Sequence, residues 1–177
     1  GYMNALNFEH TYYASEKIID HMLYMNNLKI IDKQYFKKDH SIFYRVKKYY
    51  SKKSKTINFY KKNKLLFLNY YNNFKDKVFK VNTTMNKNDF LYIIHGAHIF
   101  TQMAICYGLD TNKILFVTDN DPQKYNKFLY GTKLHVKNPR ELLILKKKIC
   151  VITTFTGVYK SEIEHDLLKI NKNILFL

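Results

Sequence analysis

Apolar and polar positions divide the chain into three stretches with different periods. In the first, Ser15 stands as an N-cap before Ile18, Ile19, Met22, Leu23 and Met25, which follow at helical spacing as far as Asn26 and Asn27. Residues 28–36 then read as a strand, 37–40 as a turn, and 41–47 as a second strand in which apolar and polar residues alternate toward the end. A helix and a two-stranded hairpin do not make a complete domain, because a hairpin alone is marginal. Its apolar faces call for a sheet that this sequence does not contain.

The second stretch, 49–87, is rich in Lys, Tyr and Asn. Phe59, Tyr60, Leu65, Leu66, Leu68, Tyr71, Phe74, Val78 and Phe79 predict one long amphipathic helix, unbroken by Pro or Gly. It reads as a connector. The third stretch, 88–177, alternates strand and helix. Apolar runs at 90–95, 114–118, 149–155 and 174–177 read as strands, and a loop through Gly131 leads to Leu134, His135 and Val136. Helices are expected at 97–107, ending at Gly108, at 139–148 behind Pro139, and from a Ser161 cap to about Ile170. Continuously apolar strands alternating with helices predict an α/β fold, a Rossmann-like parallel sheet with flanking helices. Strands at 91–95, 114–118, 149–153 and 174–176 are expected to lie parallel.

Composition modifies this picture in one respect. The formal charge is +16, from 30 Lys and Arg against 14 Asp and Glu, a sign that suits anionic partners. Only Arg45 and Arg140 are arginines, however, and nucleic-acid readers favour arginine for bidentate contacts. A solvated lysine surface, or a ligand such as a nucleotide-sugar, fits better than nucleic acid. Hydrophobic residues make up 46%, enough to bury a core. Cys106 and Cys150 lie in apolar surroundings and read as free, buried thiols of a reducing, cytoplasmic compartment. No apolar run reaches the roughly 20 residues of a membrane span. His, Cys, Asp and Glu show no metal-ligand spacing, and there is no P-loop. The chain opens Gly1-Tyr2-Met3, which suggests a fragment.

Three places carry candidate chemistry. Gly96, Ala97 and His98 join a strand to a helix N-terminus, where free amides favour anions, or simply form a tight turn that needs glycine. The three-glycine dinucleotide fingerprint is missing. Asp119, Asn120, Asp121 and Pro122 stand where a strand ends. An acid there can accept sugar hydroxyls, although the same residues are ordinary turn formers. Lys124 nearby could meet a phosphate or be solvated. Glu9 and His10 precede the first helix; an imidazole can take a proton near neutral pH, although a lone histidine is usually structural.

In order and spacing, these residues resemble the sugar C-methyltransferases. Residues 9–13 and 39–44 are similar to the segment that closes that family's SAM-binding domain. Gly96-Ala97, Gly108-Leu109-Asp110, the run 117–122 with Lys124, Gly131-Thr132, Pro139 and Ser161-Glu162-Ile163 are similar to its C-terminal domain. The resemblance implies that 1–48 closes a class I methyltransferase domain, that 49–87 is a helical connector, and that 88–177 is a Rossmann-like C-terminal domain. It implies methyl transfer from S-adenosyl-L-methionine to a sugar carbon beside a keto group, after loss of a proton from that carbon. His10 becomes the candidate base and Glu9 its support. Gly96, Ala97, His98, Asp119, Asn120 and Lys124 become candidates for binding the sugar or nucleotide-sugar. Departures at Asn7 and at Tyr125-Asn126 leave C-, O- and N-methylation open. No glycine-rich SAM loop occurs in the chain, so the cofactor is expected to be bound mainly upstream, and the chain alone to be inactive. A non-catalytic sugar-nucleotide-binding module is the alternative, and a basic RNA-binding domain a third.

Overall fold

A computed structural model describes residues 14–36, 41–50 and 58–177. The chain divides into two compact units, Gly1–Tyr70 and Tyr71–Leu177. The boundary falls inside a long helix.

In the first unit, α1 (Glu16–Met25) starts after Ser15, in the expected place, and precedes β1 (Leu28–Phe36) and β2 (Ser41–Lys48). The two strands pair antiparallel. The register slips between Ile30 and Asp32, so Ile31 is an extra residue. Beyond the slip Lys33 pairs with Tyr44 and Tyr35 with Ile42. Both β1 side chains reach α1. Lys33 Nζ donates to Glu16 Oε1 at 2.6 Å and to Asp20 Oδ2 at 2.7 Å, and the Tyr35 hydroxyl donates to Glu16 Oε1 at 2.8 Å. The hydrogen bonds from Lys33 and Tyr35 hold the Glu16 carboxyl below its ordinary value, while Asp20 and Glu16 together pull Lys33 above its own. No described residue of this unit is buried. Among the described residues an ionic network ties the helix to the hairpin. The turn at 37–40 lies outside the described residues.

Helix α2 (Tyr60–Lys87) is the expected long helix, although Tyr49 and Tyr50 precede it and the Asn58 side chain accepts the Tyr60 amide at its start. Phe74, Val78, Val81 and Met85 are its buried positions, at three- and four-residue spacing. All four belong to the second unit.

That unit is α/β. Its five parallel strands are β3 (Leu91–His95), β4 (Ile114–Thr118), β5 (Val136–Lys137), β6 (Ile149–Ile152) and β7 (Ile174–Phe176), in the spatial order β5-β4-β3-β6-β7. The four expected parallel strands are therefore present, with β5 added at one edge. The chain moves outward from β3 to β5, then returns to the other side of β3. The order thus reverses between β3 and β6.

Strand alternation divides the core. Ile93, Phe116, Ile149, Val151 and Ile174 cluster with Leu142 and with Leu167 of α4 (Lys160–Ile170). Tyr92 points the other way, and its hydroxyl donates to the Thr84 carbonyl of α2 at 3.3 Å. Phe74 and Phe155 meet there, ring centroids 5.7 Å apart. Asn82 of α2 bridges to the end of α3 (Ile99–Cys106): its amide nitrogen donates to the Gly108 carbonyl at 2.7 Å, and its oxygen accepts from the Asp110 amide at 2.9 Å.

Several boundaries differ from expectation. The helix expected at 139–148 is a short 3-10 segment, Pro139–Leu143, because the chain must extend again to enter β6 at Ile149. Tyr159, not Ser161, stands at the N-cap of α4; Ser161 lies inside the helix. Helix α3 begins two residues later than expected, since His98 is its cap. Cys150 is buried as expected and its thiol is pushed up to about 11 by burial, but Cys106, at the end of α3, is exposed. Among the described residues, no helix is long and apolar enough to cross a membrane.

Candidate functional site

The ends of β3 and β4 gather most of the candidate residues, and the parallel register explains why. His95 pairs with Thr118, which places both side chains on one face. Nδ1 of His95 lies 3.1 Å from Thr118 Oγ1. His95 is 4% exposed, and burial pushes its pKa down to about 4 against the pull of Asp119. The ring is neutral at ordinary pH.

After His95 the chain must turn sharply into α3. Gly96 does this at φ +106°, a conformation open to glycine, while its amide donates to the Thr118 carbonyl at 2.7 Å. The His98 imidazole folds back over it. A Cβ at position 96 would come 2.3 Å from His98 Nε2. His98 Nδ1 accepts the Phe100 amide at 3.3 Å, and Thr101 Oγ1 donates back to the Gly96 carbonyl at 2.6 Å. Burial lowers the His98 pKa as well, which keeps the ring an acceptor.

Asp119, 8% exposed, ties the two loops together. Its Oδ2 accepts the Ala97 amide at 2.7 Å and Lys124 Nζ at 3.1 Å; its Oδ1 accepts the Asp121 amide at 2.9 Å. Burial alone would raise this carboxyl, but the bonds from Asp121, Lys124 and Ala97 outweigh it and hold the pKa below the usual carboxylate value. Three of roughly four lone-pair directions are thus used within the chain. Asn120 is exposed beside it.

The structure therefore brings Gly96, Ala97, His98, Asp119, Asn120 and Lys124 to one corner of the sheet. It also spends the amides of Gly96, Ala97 and Phe100 inside the chain, as a closed turn does. With His98 over Gly96, the turn does not fit an S-adenosylmethionine cradle. Glu9 and His10 lie outside the described residues. From the sequence His95 reads, like other lone histidines, as structural or solvated; its partnership with Thr118 depends on register and is not visible there, nor is Thr153, which donates to Glu164 Oε1 at 2.6 Å just beyond β6. Among the described residues no group of three or more His, Cys, Asp and Glu could hold a metal ion. Compared with protein-family models, curated proteins and solved structures, the chain matches none.

Proposed function

We propose that this chain is the C-terminal portion of a SAM-dependent methyltransferase acting on a sugar or nucleotide-sugar, with the second unit, a Rossmann-like domain, supplying the crevice for the acceptor. One observation carries the reading. The loops after β3 and β4 are locked to each other by Asp119 at the carboxyl ends of neighbouring parallel strands, beside the point where strand order reverses. Ligands of open α/β sheets bind at such a point. The remaining acceptor capacity of Asp119, the free donors of Lys124 and the exposed Asn120 amide suit hydroxyl and phosphate groups. The described residues offer no cradle for S-adenosylmethionine, so no step here passes through it. Proton removal from the acceptor carbon falls to His10, supported by Glu9, outside the described residues.

A second reading, a sugar-nucleotide-binding module without catalysis, is favoured by the state of the crevice itself. His95 is buried and tied to Thr118, and Asp119 is held by three hydrogen bonds, so neither is poised to move a proton.

Calorimetric titration of the chain with uridine diphosphate glucose, thymidine diphosphate glucose and S-adenosylmethionine tests the proposal. Binding of a nucleotide-sugar is expected, weakened about tenfold or more by Lys124→Ala, in keeping with a charge-assisted hydrogen bond. Tight binding of S-adenosylmethionine, or indifference to both nucleotide-sugars, would refute it. Binding without methyl transfer in any longer form of the chain would select the second reading.

A further inference from the structure

Between Asp121 and Glu141 the sequence has no acidic residue, yet it carries Lys124, Lys127, Lys133, Lys137 and Arg140 among Tyr125, Phe128, Tyr130 and His135. The fold turns this stretch into a hairpin on the outer edge of the sheet. Phe128 and His135 form an antiparallel bridge; the Leu129 amide donates to the Leu134 carbonyl at 2.8 Å, and the Val136 amide to the Lys127 carbonyl at 2.8 Å. Alternation then sorts the side chains. Leu129, Leu134 and Val136 are buried, while Phe128 and His135 face outward with ring centroids 4.2 Å apart. At the tip Tyr130 is 86% exposed, and Phe128 is 57% exposed. Two cations are engaged elsewhere: Lys124 on Asp119, and Lys137 over the Phe116 ring at 4.8 Å. Lys127 and Lys133 are exposed beside the aromatic rings.

Exposed aromatic rings ordinarily represent a loss of burial, and here they share a ridge with unopposed lysines. We infer that this hairpin is a docking surface for single-stranded nucleic acid, bases stacking on Phe128 and Tyr130 and phosphates meeting Lys127 and Lys133. Two features select a strand over a single nucleotide. The rings stand on a protruding edge, whereas small ligands are held in concave pockets. The cations are lysines, point charges for a backbone, with no arginine between Asp121 and Pro139 to read a base edge. Binding is therefore tolerant of sequence. Phe128, Tyr130, Lys127 and Lys133 are not among the residues of the crevice proposed for a nucleotide-sugar, and either site can fail alone.

Fluorescence anisotropy of a labelled decauridylate against the full chain tests the inference. Tyr130→Ala changes an exposed side chain and should weaken binding about 5- to 150-fold, the effect of losing one stacked base. Phe128→Ala should do the same, with circular dichroism confirming the fold. Lys127→Gln with Lys133→Gln should reduce the slope of log affinity against log salt by about 1.4, near 0.7 per phosphate contact on a single strand. Unchanged affinity in Tyr130→Ala would overturn the inference, since charge alone would then explain any binding. So would equal affinity for duplex of the same length, or full displacement by uridine diphosphate glucose, which would return the site to a single nucleotide.

Discussion

Replacing Gly96 with alanine tests the geometry of the crevice through two separable terms. The first is backbone strain. At φ +106° an L side chain is disfavoured by about 1–2 kcal/mol. The second is local. The new Cβ would meet His98 Nε2 at 2.3 Å, so the imidazole must leave, and the Phe100 amide loses its cap at about 1 kcal/mol. Gly96→Ala should thus destabilise the second unit by about 2–3 kcal/mol. His98→Ala alone should remove the cap and cost about 1 kcal/mol. In the double variant the clash is gone and the cap is lost once, so the total should stay at about 2–3 kcal/mol, roughly 1 kcal/mol less than the sum of the singles. Gly108→Ala is the control. Its φ is +93° but nothing lies within 4 Å of the added carbon, so it should show strain alone and add to His98→Ala. Urea unfolding followed by circular dichroism, at constant m, reads all of these. If the Gly96 and His98 effects add in full, the imidazole does not occupy the space over the turn and the reasoning fails.

Three further outcomes are expected. Because the His95 pKa is about 4 in the fold and near 6.5 unfolded, the unfolded chain binds more protons between those values. Stability is then full above about pH 6.5 and declines by up to about 3 kcal/mol as pH falls to 4, a slope that His95→Phe should flatten in pH-dependent urea unfolding. Asp119 acts with the same sign in a lower pH window: its lowered carboxyl contributes stability that is lost only below the ordinary carboxylate value, so Asp119→Asn should keep a pH 4–6.5 slope at least as steep, its pull on His95 being gone, while lowering stability by about 1–3 kcal/mol at pH 7. Lys124→Ala should cost less than about 1 kcal/mol of stability, because its side chain is 38% exposed and solvent screens the pair, so a larger loss in thermal unfolding would show that Lys124 packs rather than tethers.

The alternating strands and helices of the second unit were legible because each apolar run is short and flanked by polar or turn-forming residues such as Asp89, Gly96, Asp119, the lysines at 146–148 and Asn173. Ile93, Val117 and Val151 sit at the centres of such runs and became the centre of the sheet. Less visible was whatever depends on contacts between distant segments. The segment after Pro139 has helical composition, yet five residues of 3-10 turn suffice, since β6 fixes where the chain must arrive. At the crevice the residue types were readable and their commitments were not. Asp119 is an acid at a strand end in either reading, and only the bond from the Ala97 amide shows that it fastens one loop to the other. His95 gave no local signal, because its partner is 23 positions away.

The extra residue at Ile31 has a consequence for how the hairpin tolerates change in length. Before it, the even-numbered Leu28 and Ile30 share a face with Val46; after it, the odd-numbered Lys33 and Tyr35 share that face with Tyr44 and Ile42. The strand is thus two half-strands of opposite parity, spliced at one position. Deleting Ile31 would leave composition and hydropathy almost untouched. It would remove the bulge and join the two half-strands in a single alternation, with Lys33 and Tyr35 still on the face of Ile30 and Val46 and still turned toward Glu16 and Asp20. The hairpin therefore absorbs the loss of this one residue, whereas loss of Gln34, farther along the strand, would set Tyr35 on the face opposite Lys33 and part it from Glu16.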